Sequence, residues 1–264
     1  MLSPHAASAE QRLILCSRVH DVNWQVTVRG AGDAPGRHVE WKCEPAEQPA
    51  INPATGRDSE DLHQIAGALA AQELPDGWHS VGSSANARVI VNPLRAIYYK
   101  EFLPRGRLET CKALLRGSRA TRARRQNDAL LAAGFAAPAN IAWGRLRGGR
   151  EYLFSSAVPG QGVTWWLREQ LAERRGEKLR LRRELLPALG EFIGRLHAAG
   201  FIHGDLRTSN ILASREAGLF HFALIDNERN QHKQPAPGRG MLRNLMQLNM
   251  LLPSDLSDRD RMRF

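Results

Sequence analysis

No run of the 264 residues reaches eighteen consecutive apolar positions, so no stretch is long enough to cross a membrane as a helix. The first residues, MLSPHAASAEQRLILC, lack a basic segment followed by a long apolar run and do not read as a secretory signal. Cysteine is scarce: Cys16, Cys43 and Cys111 stand far apart, with no CxxC pair and no Cys/His cluster. That excludes a zinc site of the usual spacing. An odd, scattered set fits free thiols in a reducing compartment. Internal repeats are also absent. Together these absences imply a cytoplasmic protein.

What is present is base. The formal charge is +10 and the sequence pI about 10.3. Such a balance points to an anionic partner: nucleic acid, an acidic membrane surface or a phosphorylated substrate. Charge alone does not separate this from simple solubility. No nucleic-acid-binding motif is found, so no nucleic acid is expected. Apolar residues make up 42%, enough for a packed core, and the length suits one bilobal domain or two small ones.

Along the chain, RLILC and the alternating WQVTV predict short strands within 11–45. A loop over 46–58 precedes a helix over 60–72, capped by Ser59, with Leu62, Ile65, Ala66 and Leu69 on one face. Residues 78–103 read as two strands, WHSVGSSANARVIV and AIYYKEFL, joined at Asn92-Pro93. The basic segment GSRATRARRQNDALLAAG predicts a helix stopped by Gly134. Strand follows over 140–158, then a charged, exposed helix over 164–184. A buried helix carries Leu186, Leu189, Ile193 and Leu196 and stops at Gly200. FIHGDL and FALIDN predict strands flanking a loop. Beyond a Pro/Gly linker at 235–240, MLRNLMQLNMLL predicts a last apolar helix.

The chemistry concentrates in FIHGDLRTSNIL, where His203, Asp205 and Asn210 form H-x-D-x(4)-N. Phosphoryl transfer needs a carboxylate at the attacking hydroxyl and side-chain oxygens on a metal that bridges the phosphates. Asp205 and Asn210 share one tight loop and can serve these two jobs; His203 would brace the loop. Asp226 ends an apolar strand downstream, where kinases place a Mg²⁺ ligand. Lys100 lies inside an apolar strand after a glycine-containing strand-turn-strand, as does the lysine that holds the ATP phosphates. Gly82, Ser83 and Ser84 stand where a phosphate-covering loop would be, with one glycine rather than three. The candidate set is therefore Asp205 for catalysis, Lys100, Gly82, Ser83 and Ser84 for ATP, Asn210 and Asp226 for Mg²⁺, and His203 in support.

From about residue 80 to residue 264 the chain resembles the bacterial lipopolysaccharide kinases, the Kdo and inner-core heptose kinases related to protein kinases. The likeness rests on YYKEF, GSRATRARRQNDALLAAGFAAP, LGEFIGRLHAAGFIHGDLRTSNIL and LIDNER. HGDL is shared with aminoglycoside phosphotransferases and RIO-type kinases and marks only the superfamily; the basic segment ending in AAGF is more specific. The resemblance implies an α+β, bilobal protein-kinase-like fold. It would have a β-rich N-lobe with an N-terminal extension (1–158) and a mostly helical C-lobe with the catalytic loop (159–264). It implies Asp205 as base, Asn210 and Asp226 on Mg²⁺, Lys100 on ATP, and a lipopolysaccharide core sugar as acceptor, met at the inner face of the cell membrane. Rival readings are a RIO-like Ser/Thr protein kinase and a non-catalytic pseudokinase binding a lipid or protein partner.

Two departures stand out. The family carries a glutamate in the helix after the lysine strand, and alignment puts Ala123 there. The partner of Lys100 is left open between Asp128, Glu109 and none. Asn227 and Glu228 also replace the Phe-Gly that follows the metal aspartate in many kinases. Among basic stretches, Arg116, Arg119, Arg122, Arg124 and Arg125 have no acid among them and suit either an anionic ligand or a solvated face. The run from Arg168 to Arg183 mixes in Glu169, Glu173 and Glu177, so pairing on an exposed helix accounts for it. Trp165 and Trp166 fit core packing better than a lipid interface.

Overall fold

The computed structural model describes residues 11–15, 23–28, 39–44, 56–84, 86–103 and 117–264, with side chains from 61–81, 86–103 and 117–264. Strands β1 (Gln11–Leu15), β2 (Asn23–Val28) and β3 (Val39–Glu44) form an antiparallel sheet in that order. Helix α1 spans Gly56–Ala70. It starts a turn before the expected cap, so Ser59 lies inside it. The helix stops early because Gln72 turns left-handed (φ 68) ahead of Pro75.

Three strands, not two, follow: β4 (His79–Ser84), β5 (Ala87–Asn92) and β6 (Ile97–Phe102). The turn residues within SSAN split the first expected strand into a hairpin. Helix α2 (Arg119–Ala132) is capped by Ser118, whose hydroxyl accepts from the Thr121 N–H at 3.1 Å. Strands β7 (Asn140–Arg145) and β8 (Glu151–Ser156) complete a five-stranded antiparallel sheet in the order β4-β5-β6-β8-β7.

The period-2 alternation of β6 sorts its residues onto two faces. Tyr99 packs with Leu62, Ala66 and Leu69 of α1 and with Trp78, Ile90 and Phe154. Arg88 and Arg150 donate to the last carbonyls of α1, Leu69 O at 2.6 Å and Ala70 O at 3.2 Å, fastening the helix to the sheet. On the opposite face Phe102 packs with Leu153 and with Ala120 and Ala123 of α2. Lys100 shares that face.

The remainder is mostly helical. After β9 (Gln161–Gly162) comes one turn of helix, α3 (Val163–Trp165), and a π-helical turn over Trp166–Gln170. The expected exposed helix over 164–184 is thus broken, because Leu167 and Leu171 turn into the core. Helix α4 (Gly176–Ala198) buries Leu185, Leu186, Leu189, Phe192, Ile193 and Leu196, each contributing roughly 2 kcal/mol on removal from water. Arg182 is a second correction: it lies fully buried, not on a solvated face. Its guanidinium bonds Asp260 and the carbonyls of Leu167, Leu171 and Asp255, tying the last residues to α4. Other charges of that run pair at the surface as expected, Arg180 with Glu184 at 3.0 Å and Lys178 with Glu173 at 3.4 Å. Trp166 packs on Phe220 and donates to Ala213 O at 2.8 Å, a core role.

Strands β10 (Phe201–Ile202), β11 (Ile211–Glu216), β12 (Leu219–Leu224) and β13 (Gln231–His232) surround the candidate loop. β11 pairs with β12 and β9; β10 pairs with β13. Helix α5 (Gly238–Leu248) and the short α6 (Asp258–Arg261) end the chain. The apolar reading of α5 needs correction: Leu242, Leu245 and Met246 are exposed, while Asn244 is fully buried.

Candidate active site

The hairpin β11–β12 fixes the distance between the two halves of the site. The Ile225 N–H donates to Asn210 O at 3.0 Å, so the end of the loop and the end of β12 meet. Between them sits His203. The Asp205 N–H donates to its Nδ1 at 3.1 Å, and its Nε2–H donates to Ile225 O at 3.0 Å. This uses both ring nitrogens of one neutral tautomer. Burial pushes the His203 pKa down, against the Ile225 bond and the charges of Asp226 and Asp205, which push it up. One side chain thus joins the backbone at Asp205 to the backbone just before Asp226.

Asn244 of α5 holds the loop from behind. Its Oδ1 accepts from the His203 N–H at 3.1 Å, and its Nδ2 donates to His203 O at 2.6 Å. Gln247 Oε1 accepts from the Leu206 N–H at 3.0 Å. The sequence reading passed over both, because they sit within an apolar run. Two amides three apart on one helix face were the available signal. Gly204 admits the 226–230 turn: its N–H donates to Asn230 Oδ1 at 3.1 Å, and a Cβ there would collide with the Arg229 backbone.

Asp205 points toward the surface. Arg207 grips its carboxylate with two bonds, Nε to Oδ1 at 2.9 Å and Nη2 to Oδ2 at 2.8 Å. Arg207 is another residue that the motif reading missed; its position two after Asp205 was the signal. Asn210 Nδ2 donates to Asp205 O at 2.9 Å, which orients its amide and leaves Oδ1 without a hydrogen bond among those described.

Asp226 stands just past β12, at the start of the next turn, in a left-handed conformation (φ 61, ψ 46). Aspartate tolerates this region better than most side chains, at a cost of about 1 kcal/mol or more. Burial pushes its pKa up, but the charge and hydrogen bond of Lys100, with His203 and Arg229, outweigh this and hold it below the usual carboxylate range. Lys100 Nζ bonds Asp226 Oδ1 directly. A second carboxylate faces the same ammonium: Glu228 Oε2 lies 3.8 Å away.

Of the two acids offered by sequence as partners of Lys100, Asp128 does not fill that place. Asp128 accepts from Asn140 Nδ2 at 2.7 Å, and Glu109 lies outside the described residues. Ala123 is buried against Phe102. The basic face of α2 also turns inward in part: Arg119 pairs with Glu228, and Arg124 stacks over Trp143 at 4.2 Å. Arg116 lies outside the described residues.

Across the five-stranded sheet the register places Val81 opposite Val89, Val89 opposite Lys100 and Lys100 opposite Leu153. Gly82, Ser83 and Ser84 continue β4 beyond Val81, so the hairpin tip follows on from the row that carries the lysine.

These groups form a set that phosphoryl transfer can use: a lysine, two oxygen donors for a hard cation, and an outward carboxylate. Asp226 and the Asn210 amide suit Mg²⁺, which takes one or two protein oxygens and completes its shell from phosphates and water.

A family model described as "Lipopolysaccharide kinase (Kdo/WaaP) family" matches residues 80–264. Among solved structures, "WaaP in complex with acyl carrier protein" superposes with a TM-score of 0.50 at 20% identity, covering 74% of this chain and 78% of that one. A structure of WbdD gives a TM-score of 0.44 at 22% identity, over 65% of this chain and 36% of the other. A probable bifunctional tRNA threonylcarbamoyladenosine biosynthesis protein of Methanosarcina barkeri (strain Fusaro / DSM 804) is 58% identical over 33 residues. That stretch is 12% of this chain and 6% of the archaeal protein.

Proposed function

Because the chain belongs to the lipopolysaccharide kinase (Kdo/WaaP) family, we propose that it transfers the γ-phosphate of ATP to a Kdo or heptose hydroxyl of the lipopolysaccharide inner core. The observation that carries the reading is the convergence of Lys100, Asp226, Asn210 and Asp205, from β6, the turn after β12 and one loop, around the His203 link.

Lys100 holds the α- and β-phosphates once its bond to Asp226 is exchanged for phosphate oxygens. Asp226 and Asn210 would hold Mg²⁺, which when bound would neutralise charge on the phosphates. Asp205 orients the acceptor hydroxyl and takes its proton. As the new O–P bond forms, the bond from the γ-phosphorus to the bridging oxygen breaks, and ADP leaves with that electron pair. Arg207 takes one lone pair on each carboxylate oxygen of Asp205 and leaves the others for the acceptor hydroxyl. Arg207 is itself mostly exposed. No helix among the described residues is long and apolar enough to cross a membrane. In this reading contact with a lipid-borne acceptor is aided by the +10 charge at an anionic surface.

The test is phosphate transfer from Mg-ATP to purified lipid A–core, followed by mass of the acceptor, in the native protein and in Asp205→Asn. Native protein should phosphorylate the core, and the variant should lose about 10²-fold or more while still binding ATP. Transfer to protein alone, or wild-type turnover by the variant, would overturn the assignment.

A further inference from the structure

A lysine that must leave one carboxylate to bind phosphate needs a second carboxylate to keep its place. We propose that Glu228 is the positioning residue for Lys100, and that Arg119 holds Glu228 in that role. The inference rests on the reading of Lys100 as the phosphate-binding lysine.

The geometry has three parts. First, the Glu228 carboxylate is buried and fixed. Arg119 donates to it from Nε (3.2 Å to Oε1) and from Nη2 (3.0 Å to each oxygen). Arg119 is itself buried and anchored, with Nη1 donating to Asn86 O at 2.7 Å and its guanidinium 5.2 Å from the centre of the Phe102 ring. Second, Glu228 Oε2 faces the Lys100 ammonium at 3.8 Å. Asp226 and Glu228 are the two carboxylates within ion-pair distance of Lys100 among the described residues. When Asp226 ligates a cation, Glu228 is the one that stays. Third, the turn bearing Glu228 cannot drift from α2. Asn227 Nδ2 donates to Asn127 Oδ1 at 2.9 Å, and Asn227 Oδ1 accepts from Asn230 Nδ2 at 2.9 Å.

The charges explain why an arginine accompanies the glutamate. Lys100 and Arg119 face Asp226 and Glu228 in the resting site, with the exposed Arg229 a further cation 3.8 Å from Glu228. A buried Glu228 without Arg119 would leave a charge poorly compensated, and its desolvation would push it out of reach of the lysine. The polarity across α2 is thus the reverse of a helix-borne acid. The helix supplies the cation, the turn after Asp226 supplies the acid, and Ala123 is free to pack on Phe102.

The test is a double-mutant cycle on Mg-ATP affinity, measured by calorimetry well below the melting temperature. It compares the native protein, Glu228→Gln, Lys100→Ala and the double variant. Glu228→Gln should weaken Mg-ATP binding about tenfold, the usual scale for losing a supporting partner. On the Lys100→Ala background it should add little, because its effect runs through the lysine. Glu228→Asp keeps a charge for Arg119 but draws back from Lys100, and should show a defect in the same direction if the glutamine variant folds poorly. Equal effects on both backgrounds would reduce Glu228 to a structural clamp and overturn the proposal. So would a Lys100→Ala defect with native affinity in both Glu228 variants. Native affinity in Lys100→Ala would instead sink the phosphate-lysine reading, and Glu228's role with it.

Discussion

Gly204→Ala tests the closeness of the catalytic loop to the 226–230 turn. An ideal Cβ on Gly204 would stand 2.5 Å from the Arg229 carbonyl oxygen and 2.7 Å from its carbonyl carbon, where ordinary contact begins near 3.4 Å. These are backbone atoms, so no rotamer change relieves them. The two segments must part by roughly 1 Å, and a shift of that size in a reacting site costs about 10²-fold. The shift also strains the bond from the Gly204 N–H to Asn230, one residue before Asp205. Overpacking of this kind should cost about 1–3 kcal/mol of stability. The assay is kcat for core phosphorylation at saturating Mg-ATP, beside a thermal melt. Gly67→Ala in α1 is the control: its Cβ would meet nothing within 4 Å, so activity should not change. Turnover by Gly204→Ala within about threefold of native would refute the reasoning, since loop and turn would then tolerate a displacement the chemistry should feel.

Asp260→Asn should destabilise the fold by about 3 kcal/mol or more, measured by urea unfolding, because it strips a buried Arg182 of its ion partner. Burial pushes the Asp260 carboxyl up, but the hydrogen bonds from Arg182 and Ser257 and the Arg182 charge hold it below its ordinary value. Its contribution is therefore present above a pH of about 4 and lost as pH falls through its lowered pKa, and the gap between native and variant should narrow there. His203 has the opposite chemistry and the same sign. Held neutral by burial, it binds its proton more readily in the unfolded chain, so native stability should decline as pH drops below about 6.5. His203→Asn should flatten that decline in urea melts at stepped pH; an unchanged slope would show that other groups dominate it.

Much of the architecture was legible because the apolar spacing was clear. The positions of α4 at 186, 189, 193 and 196 are all buried, and Gly134 takes the left-handed turn expected past the end of α2 (φ 80). Residues with two plausible fates were less legible. Arg182 and Arg180 look alike in the sequence, yet one is interior and the other exposed. The difference is Asp260, 78 positions away, which gives the buried guanidinium its charge partner. Asn244 sits in an apolar run as a polar interruption, and its use becomes clear only when the loop it cradles is laid against it.

By itself the sequence determined the local chemistry. H-x-D-x(4)-N confines Asp205 and Asn210 to one short loop, and β alternation puts Lys100 on the face of Phe102, because strand and loop geometry act over a few residues. The tertiary structure decided the partnerships. Lys100 meets Asp226 across 126 positions and Arg119 meets Glu228 across 109. An ion pair depends on separation in space, and the chain sets that separation only by folding. Among the described residues, the carboxylate nearest the lysine after Asp226 is Glu228, carried on the turn beyond β12 rather than on α2.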